Sequence, residues 1–406
     1  MNAEIISVGT ELILGSTLNT NAHYLSKRLS NIGIDVIYHT AVKDDPKMLE
    51  DIIHIGLKRA DVLIFTGGLG PTDDDMTKEI VSKVLGLNLR LNVSVENSIK
   101  NYFNKTDKIM SSNNKKQAYI PEESKFLTNE IGTAPGIYIK WNEKLLILLP
   151  GPPNEMKLMF NKYVVPLIKQ DFVIKISTIR TIGISESQLE NSLKDIIRNN
   201  TNPTIATYAK EGTVDIKIVA KGDNDKEVDS LLNEIVCIIK NRISKYIYSY
   251  LDETIEEVVF KKLKDKKMKI AFCESCTGGL ISAKFTRISG VSEVFERGII
   301  AYSNNSKIEE LNVNKDTLEK FGPVSEQVAI EMAKGLMNKT KSDIAVSTTG
   351  LAGPSGGNKT KPIGLVYIGI VTKNMSKVIK CMLNGDRTSI QNKAALKVFN
   401  EIRKIL

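Results

Sequence analysis

Lys269-Ile270-Ala271-Phe272-Cys273-Glu274-Ser275-Cys276-Thr277-Gly278-Gly279-Leu280 is the stretch from which the rest of the chain is read. Ile270, Ala271 and Phe272 form an apolar run that reads as the end of a buried strand. Glu274 to Gly279 reads as a sharp turn, and Leu280, Ile281, Ala283, Lys284 and Phe285 read as a helix leaving it. A side chain on such a turn stands clear of the sheet. Ser275 is therefore the expected nucleophile, with the first helix amides facing the anion that forms beside it. Small residues such as Gly278 and Gly279 let a substrate approach the backbone closely.

Composition sets the outer bounds. A chain of 406 residues has room for two or three domains, and 42% apolar with 25% charged residues is ordinary for a globular protein. No apolar run approaches the ~20 residues that span a bilayer. Met1 to Gly9 lacks a basic leader and reads as a first strand, so a cytoplasmic protein with no membrane partner is expected. The net charge of +9 fits either a nucleic-acid partner or lysines scattered over solvated faces. The lysines are dispersed rather than interleaved with aromatics, so nucleic acid is not the expected partner.

Strands and helices alternate over the first ~170 residues. Ile5–Val8, Asp35–Tyr38 and Asp61–Phe65 read as strands, and fully apolar strands between helices mean a parallel sheet covered on both faces. Ligands of such sheets sit at the carboxyl ends of the strands, which here are the loops after Val8 and Phe65. Residues ~90–130 are polar and resist assignment. A smaller unit with the order βαββα follows from about Asp171 to Tyr250, and Ser185-x-x-Gln188 is its capping box. It resembles a KH-type topology, but without a Gly-x-x-Gly loop. From about Asp252 the alternation resumes, with strands at Val294–Tyr302, Asp343–Ser347, Ile363–Val371 and Val378–Leu383.

Three places can carry chemistry. In Thr66-Gly67-Gly68-Leu69-Gly70-Pro71-Thr72-Asp73-Asp74-Asp75, glycines after a buried strand let backbone amides face a phosphate, and Asp74 and Asp75 can hold a divalent cation bridging it. The plainer reading is a turn followed by acidic helix caps. Cys273-x-x-Cys276 resembles a thiol redox motif, and Cys276 is the rival nucleophile to Ser275. Arg387, at a helix start, can grip a phosphate or pair with Asp386.

Gly9-Thr10-Glu11-Leu12, Asn19-Thr20-Asn21, Thr66 to Thr72, and Leu149-Pro150-Gly151-Pro152-Pro153-Asn154-Glu155 resemble the molybdopterin-binding-like N-terminal half of CinA-family proteins. Glu274 to Gly279, Tyr302-Ser303-Asn304, Gly350-Leu351-Ala352-Gly353-Pro354 and Gly385-Asp386-Arg387 resemble the family's nicotinamide mononucleotide deamidase domain. The resemblance implies an α/β fold class: two parallel-type α/β domains, residues 1–170 and 252–406, joined by a small α+β KH-like module at 171–250. It implies hydrolysis of nicotinamide mononucleotide to nicotinate mononucleotide and ammonia in the C-terminal half, without a cofactor. There Ser275, Tyr302 and Lys307 would be catalytic, and Thr277, Gly278, Gly279, Thr349, Gly350, Gly353 and Arg387 would bind substrate. For the N-terminal half it implies an ADP-ribose pyrophosphatase using a divalent metal ion. Thr10, Asn19, Asn21, Thr66, Gly67, Gly68, Gly70, Thr72, Gly151 and Pro152 would bind substrate there, and Glu11, Asp74 and Asp75 the metal. A homodimer is the expected assembly. Cys273 departs from the small residue usual in the family, and Asp73 falls at a variable position.

The chemistry of the C-terminal half agrees with this mapping. The chain's three histidines, His23, His39 and His54, all lie in the other half, so a Ser-His-Asp triad is excluded here. A lysine with a lowered pKa can replace the histidine base. Lys307 shares a strand end and loop with Tyr302 in this reading; otherwise it is a solvated loop lysine.

Overall fold

The computed structural model describes residues 1–168 and 172–406. The expected domain boundary at 170/171 lies outside the described residues. The described residues form two compact units: Met1–Lys175 with Lys221–Val228, and Ile176–Ala220 with Asp229–Leu406.

The first unit is built on a six-stranded sheet. Its strand order is Asp35–Val42, Asn2–Val8, Val62–Thr66, Lys144–Leu149, Gly136–Trp141, Ser124–Leu127. The first four strands are parallel, and each of the last two pairs antiparallel with the strand before it in this order. Every residue of Val62–Thr66 is buried, because helices cover both faces of this central strand. Ser7, Thr66 and Leu149 sit in adjacent register, so the loops after Val8, Thr66 and Leu149 leave from one edge of the sheet. The unassigned stretch contains a helix, Val93–Lys105, a 3₁₀ segment, Ser112–Ala118, and short paired strands, Leu89–Leu91 and Tyr119–Pro121. The helix buries only Val95 and Ile99, which is too sparse an apolar stripe to announce itself in sequence.

The middle module is a four-stranded sheet in the order Thr204–Lys210, Thr213–Gly222, Val173–Ile182, Ile247–Ser249, with helices Glu186–Asn199 and Asp225–Ile243. Ser185 and Gln188 cap the first helix reciprocally, as their spacing predicts.

The C-terminal sheet runs Phe295–Ile300, Ile270–Glu274, Ile344–Gly350, Leu365–Thr372, Met375–Met382. It is mixed rather than parallel throughout: the first three strands are parallel and the last two are antiparallel. The reason lies in the connections. Thr372 and Met375 are joined by a two-residue turn, and no helix links Gly350 to Leu365, so neither link can make the crossover a parallel pair needs. The C-terminal helix Arg387–Ile405 lies across this sheet. Phe399 on that helix joins an aromatic cluster with Phe272, Phe285 and Phe295, at centroid distances of 5.6–6.1 Å. Each such contact adds about 0.5–1.5 kcal/mol to the area term. The cluster registers the C-terminal helix against the strand that ends at Glu274.

Candidate active site

Ser275 follows the buried strand directly. Its amide donates to Thr348 O on the neighbouring strand at 3.0 Å, which fixes the start of the turn. The turn is then braced internally, since Gly278 N donates to Ser275 O at 3.1 Å and Leu280 N to Thr277 O at 3.0 Å. Gly278 and Gly279 have φ of 61° and 95°, and at Gly279 a Cβ would also meet Ile300 at 2.9 Å.

The expectation that the helix amides face a reacting anion is overturned. Glu274, 1% exposed, turns its carboxylate into that position. It accepts from Gly279 N at 3.0 Å, Ile281 N at 3.0 Å, Ser282 N at 2.8 Å and Ser282 Oγ at 2.7 Å. A carboxylate side chain here satisfies the orphan donors of the helix Leu280–Thr286, so the helix end has nothing left for a ligand.

Lys307 is on a helix, not in a loop. Ser303 caps Asn304–Leu311 by accepting from Ser306 N, which places Lys307 one turn inside. The side chain is 1% exposed. Its Nζ lies 3.1 Å from Ser275 Oγ and 3.0 Å from each of Ala301 O and Tyr302 O. Burial pushes its pKa below the ordinary lysine value. Ser275 itself is 8% exposed.

The cavity above this pair has a volume of about 290 Å³ and is lined by Ser275, Tyr302, Lys307, Thr349, Gly350, Gly353 and Arg387, all anticipated from sequence. Cys276, Asn304 and Ser355 also line it. Thr277, Gly278 and Gly279 do not line it. The Thr277 hydroxyl is instead paired with Thr348 Oγ1 at 2.8 Å, and the two glycines shape the turn. Tyr302 is 61% exposed, with Arg387 Nη2 donating to its hydroxyl at 3.1 Å. Arg387 Nη1 donates to Gly353 O at 2.8 Å, while Asp386 caps the C-terminal helix through Ser389 N. The alternative of an Arg387–Asp386 pair is thus not adopted.

Both thiols at the turn are buried. Burial drives the Cys273 thiol well above its usual range and the Cys276 thiol to about 12. Neither ionises near neutrality, and neither is in a disulfide.

In the N-terminal unit, the loops at the sheet edge enclose a cavity of about 470 Å³. Gly67, Gly68, Gly70, Gly151, Pro152, Glu11, Asp74 and Asp75 line it. The backbone of Val8 passes so close to Gly67 that a Cβ there would meet Val8 O at 2.2 Å, and Gly67 also has φ 98°. Five other expected residues are not in the lining. Thr10 donates through N and Oγ1 to Asp44 Oδ2 at 2.8 and 2.9 Å. Asn19 caps the next helix and donates to Ser7 Oγ at 2.9 Å. Asn21 donates to Gly151 O at 2.7 Å, bracing the loop it was expected to share. Thr66 is buried inside its strand. Thr72 donates through N and Oγ1 to Asp75 Oδ2 at 3.0 and 2.6 Å. Sequence reasoning missed Asp44, Gln117 and Thr133 in the lining, along with Lys116, whose Nζ donates to Thr72 O at 2.9 Å and Asp75 O at 2.5 Å. Lys116 and Gln117 come from the 3₁₀ segment in the unassigned stretch, where no local signal marks them.

Three family descriptions match consecutive parts of the chain: a probable molybdopterin binding domain over residues 4–170, the damage-inducible protein CinA KH domain over 177–249, and the CinA C-terminal domain over 252–406. A CinA-like protein of Kosmotoga olearia is 45% identical over 408 residues, covering 100% of this chain and 99% of its own. The chain belongs to the CinA family. A second CinA-like protein, from Dictyoglomus thermophilum, is 44% identical over 406 residues, again covering 100% of this chain and 99% of its own. The solved structure of the protein CinA from Thermoplasma acidophilum is 33% identical over 41% of this chain and 98% of its own, with a TM-score of 0.38.

The metal expected in the N-terminal unit can be tested against the donors. Among the described residues no three His, Cys, Asp or Glu side chains converge as a ready-made cage. Asp44 is taken up by Thr10, Asp75 by Thr72, and Glu155 by Asn129 Nδ2 at 2.7 Å. Glu11 and Asp74 remain as hard oxygen donors on the cavity wall of this CinA protein. That set fits a small divalent cation held by one or two carboxylates together with substrate phosphate oxygens. No helix among the described residues is long and apolar enough to cross a membrane.

Proposed function

We propose that the C-terminal half of this CinA protein hydrolyses the carboxamide of nicotinamide mononucleotide to nicotinate mononucleotide and ammonia, and that the N-terminal half cleaves ADP-ribose at its pyrophosphate. The observation that carries the first part is the buried Lys307 Nζ at 3.1 Å from Ser275 Oγ, with two carbonyls on its other sides. A neutral amine has two N–H donors and one lone pair. Ala301 O and Tyr302 O take the two donors, which turns the lone pair to the Ser275 hydroxyl.

Lys307 accepts the Ser275 proton as Oγ bonds to the carboxamide carbon. The resulting ammonium returns that proton to the departing nitrogen, and ammonia leaves an ester on Ser275. Lys307 then deprotonates the water that attacks this ester and passes that proton to Ser275 Oγ as the acyl–oxygen bond breaks, so that the acid leaves and ionises to the carboxylate. Because Glu274 fills the helix end, the amides of Ile281 and Ser282 are not available to the tetrahedral oxyanion. The contribution of Tyr302 to Lys307 is its carbonyl, while its hydroxyl and Arg387 form a rim suited to the nucleotide phosphate. Ammonia release from nicotinamide mononucleotide by the purified chain tests this reading. Ser275→Ala is expected to abolish release and Cys276→Ala to keep it; full activity in Ser275→Ala overturns the assignment.

In the N-terminal half, Glu11 and Asp74 would hold the divalent cation, which supplies charge neutralisation at the pyrophosphate oxygens when bound. The glycine amides of the Gly67–Gly70 loop would orient the phosphates. A second reading, a module that only binds a nucleotide-like ligand, is favoured by the three carboxylates already committed to protein donors. Cleavage of ADP-ribose that requires Mg²⁺ or Mn²⁺ excludes the binding-only reading, and its absence excludes the enzyme.

A further inference from the structure

The cavity of the N-terminal unit is walled by the carboxylates of Glu11, Asp44, Asp74, Asp75 and Glu155, and its described lining contains neither lysine nor arginine. Asp44, Asp75 and Glu155 are held by donors within the protein. The Asp74 carboxylate has no such donor among the described residues. Its direction is therefore set by the backbone that carries it.

That backbone is a short turn. Asp75 N donates to Thr72 O at 3.2 Å, and Thr72 N and Oγ1 donate to Asp75 Oδ2 at 3.0 and 2.6 Å. All three bonds are internal, so they shape the turn without fixing where it stands. A tie to the rest of the unit comes from Lys116, 41 residues beyond Asp75. Its Nζ donates to Thr72 O at 2.9 Å and to Asp75 O at 2.5 Å, which lie on either side of Asp74 in the chain.

Lys116 is itself anchored. Lys78, 5% exposed, donates through Nζ to Lys116 O at 2.6 Å. The buried neighbour Gln117 donates through Nε2 to Leu69 O at 3.3 Å, earlier in the same loop. The 3₁₀ segment Ser112–Ala118 thus clamps the glycine-rich loop at the carbonyls of Leu69, Thr72 and Asp75.

We propose that Lys116 is a positioning residue that presents Asp74 to the divalent cation of the N-terminal site. Lys116 does not line the cavity and acts through the Thr72–Asp75 backbone. The inference rests on the metal-dependent reading of this half given above. Two effects of losing Lys116 have opposite signs. Removing a positive charge near a cation site relieves repulsion and tightens cation binding. Removing the brace behind a ligand weakens it, and substitutions in the outer shell of a metal site cost about 10- to 100-fold in affinity.

The test titrates Mn²⁺ into the full chain without substrate and reads free Mn²⁺ by electron paramagnetic resonance. Wild type is compared with Lys116→Met, Lys116→Arg and the double variant Glu11→Gln, Asp74→Asn. Met keeps an aliphatic stem without donors, and Arg again offers N–H groups to both carbonyls. The Kd for Mn²⁺ should rise about 10- to 100-fold in Lys116→Met and recover in Lys116→Arg. The Mn²⁺ concentration that half-saturates ADP-ribose cleavage should rise in parallel. Ammonia release from nicotinamide mononucleotide and the melting temperature of each variant report folding, and Lys116→Gln carries the same expectation should the Met variant not fold. Unchanged or tighter Mn²⁺ binding in Lys116→Met, or a loss that Lys116→Arg does not recover, overturns the proposal. A wild type that binds no Mn²⁺, or binds it no better than the double variant, overturns the metal reading and this inference together. Binding lost in the double variant but unaffected in Lys116→Met overturns the inference alone.

Discussion

Lys307→Met separates the chemistry of the C-terminal site from its stability. The substitution removes the amine and retains most of the buried aliphatic stem. In rate terms, a positioned general base contributes ~10²–10⁴-fold, or about 3–5 kcal/mol of barrier. In stability terms two effects oppose each other. The variant loses three hydrogen bonds, to Ser275 Oγ, Ala301 O and Tyr302 O, each with a net value of about 1 kcal/mol. It also escapes the burial of an ammonium group that is 1% exposed, a penalty of several kcal/mol when the amine is charged. Ammonia release should therefore collapse while urea unfolding shifts by less than about 2 kcal/mol.

The same residue governs pH dependence. Its folded pKa is lowered by burial, while the unfolded chain keeps the ordinary value of about 10.4. Between those two values the unfolded state binds more protons, so stability rises with pH across that window. The rate rises over the lowered pKa as the amine becomes neutral. Both slopes should vanish in Lys307→Met. A variant that keeps ammonia release within about threefold of wild type, or retains the rising limb, refutes the base assignment.

Three further outcomes are expected. Alkylation of the native protein by iodoacetamide at neutral pH should label the exposed Cys237 and spare Cys273 and Cys276, as mapped by peptide mass spectrometry. Glu274→Gln places an NH₂ group against amides that now donate to a carboxylate, and should cost about 2–3 kcal/mol in urea unfolding. The double variant Glu11→Gln, Asp74→Asn should lose metal-dependent ADP-ribose cleavage and leave ammonia release unchanged, as read by parallel assays on one preparation.

Local pattern was a good guide wherever a run of residues made its own structure. The buried strand before Ser275, the turn after it, the Ser185–Gln188 capping box and the glycines after Thr66 were all legible, because period, capping and positive φ are near-neighbour properties. Lys307 was legible as a candidate, but its helix was not, since Ser303-Asn304-Asn305-Ser306 reads as loop until Ser303 is seen to cap. Thr10, Asn19, Asn21 and Thr72 carry the right polar groups for binding, yet those groups are satisfied within the protein. Motif membership marks such residues without distinguishing a ligand contact from a brace.

By itself the sequence determined the α/β alternation, the small middle module, the nucleophile turn, and the absence of histidine from the half that carries it. Only the tertiary structure decided that Lys307 is buried against Ser275, that Glu274 closes the helix end, and that Gln391 reaches Cys276 O from 115 residues away. The physical reason is the range of the interactions. Periodicity and turn preference act between residues a few positions apart. Desolvation of an amine and the anchoring of a distant carbonyl depend on which surfaces meet after the chain has packed.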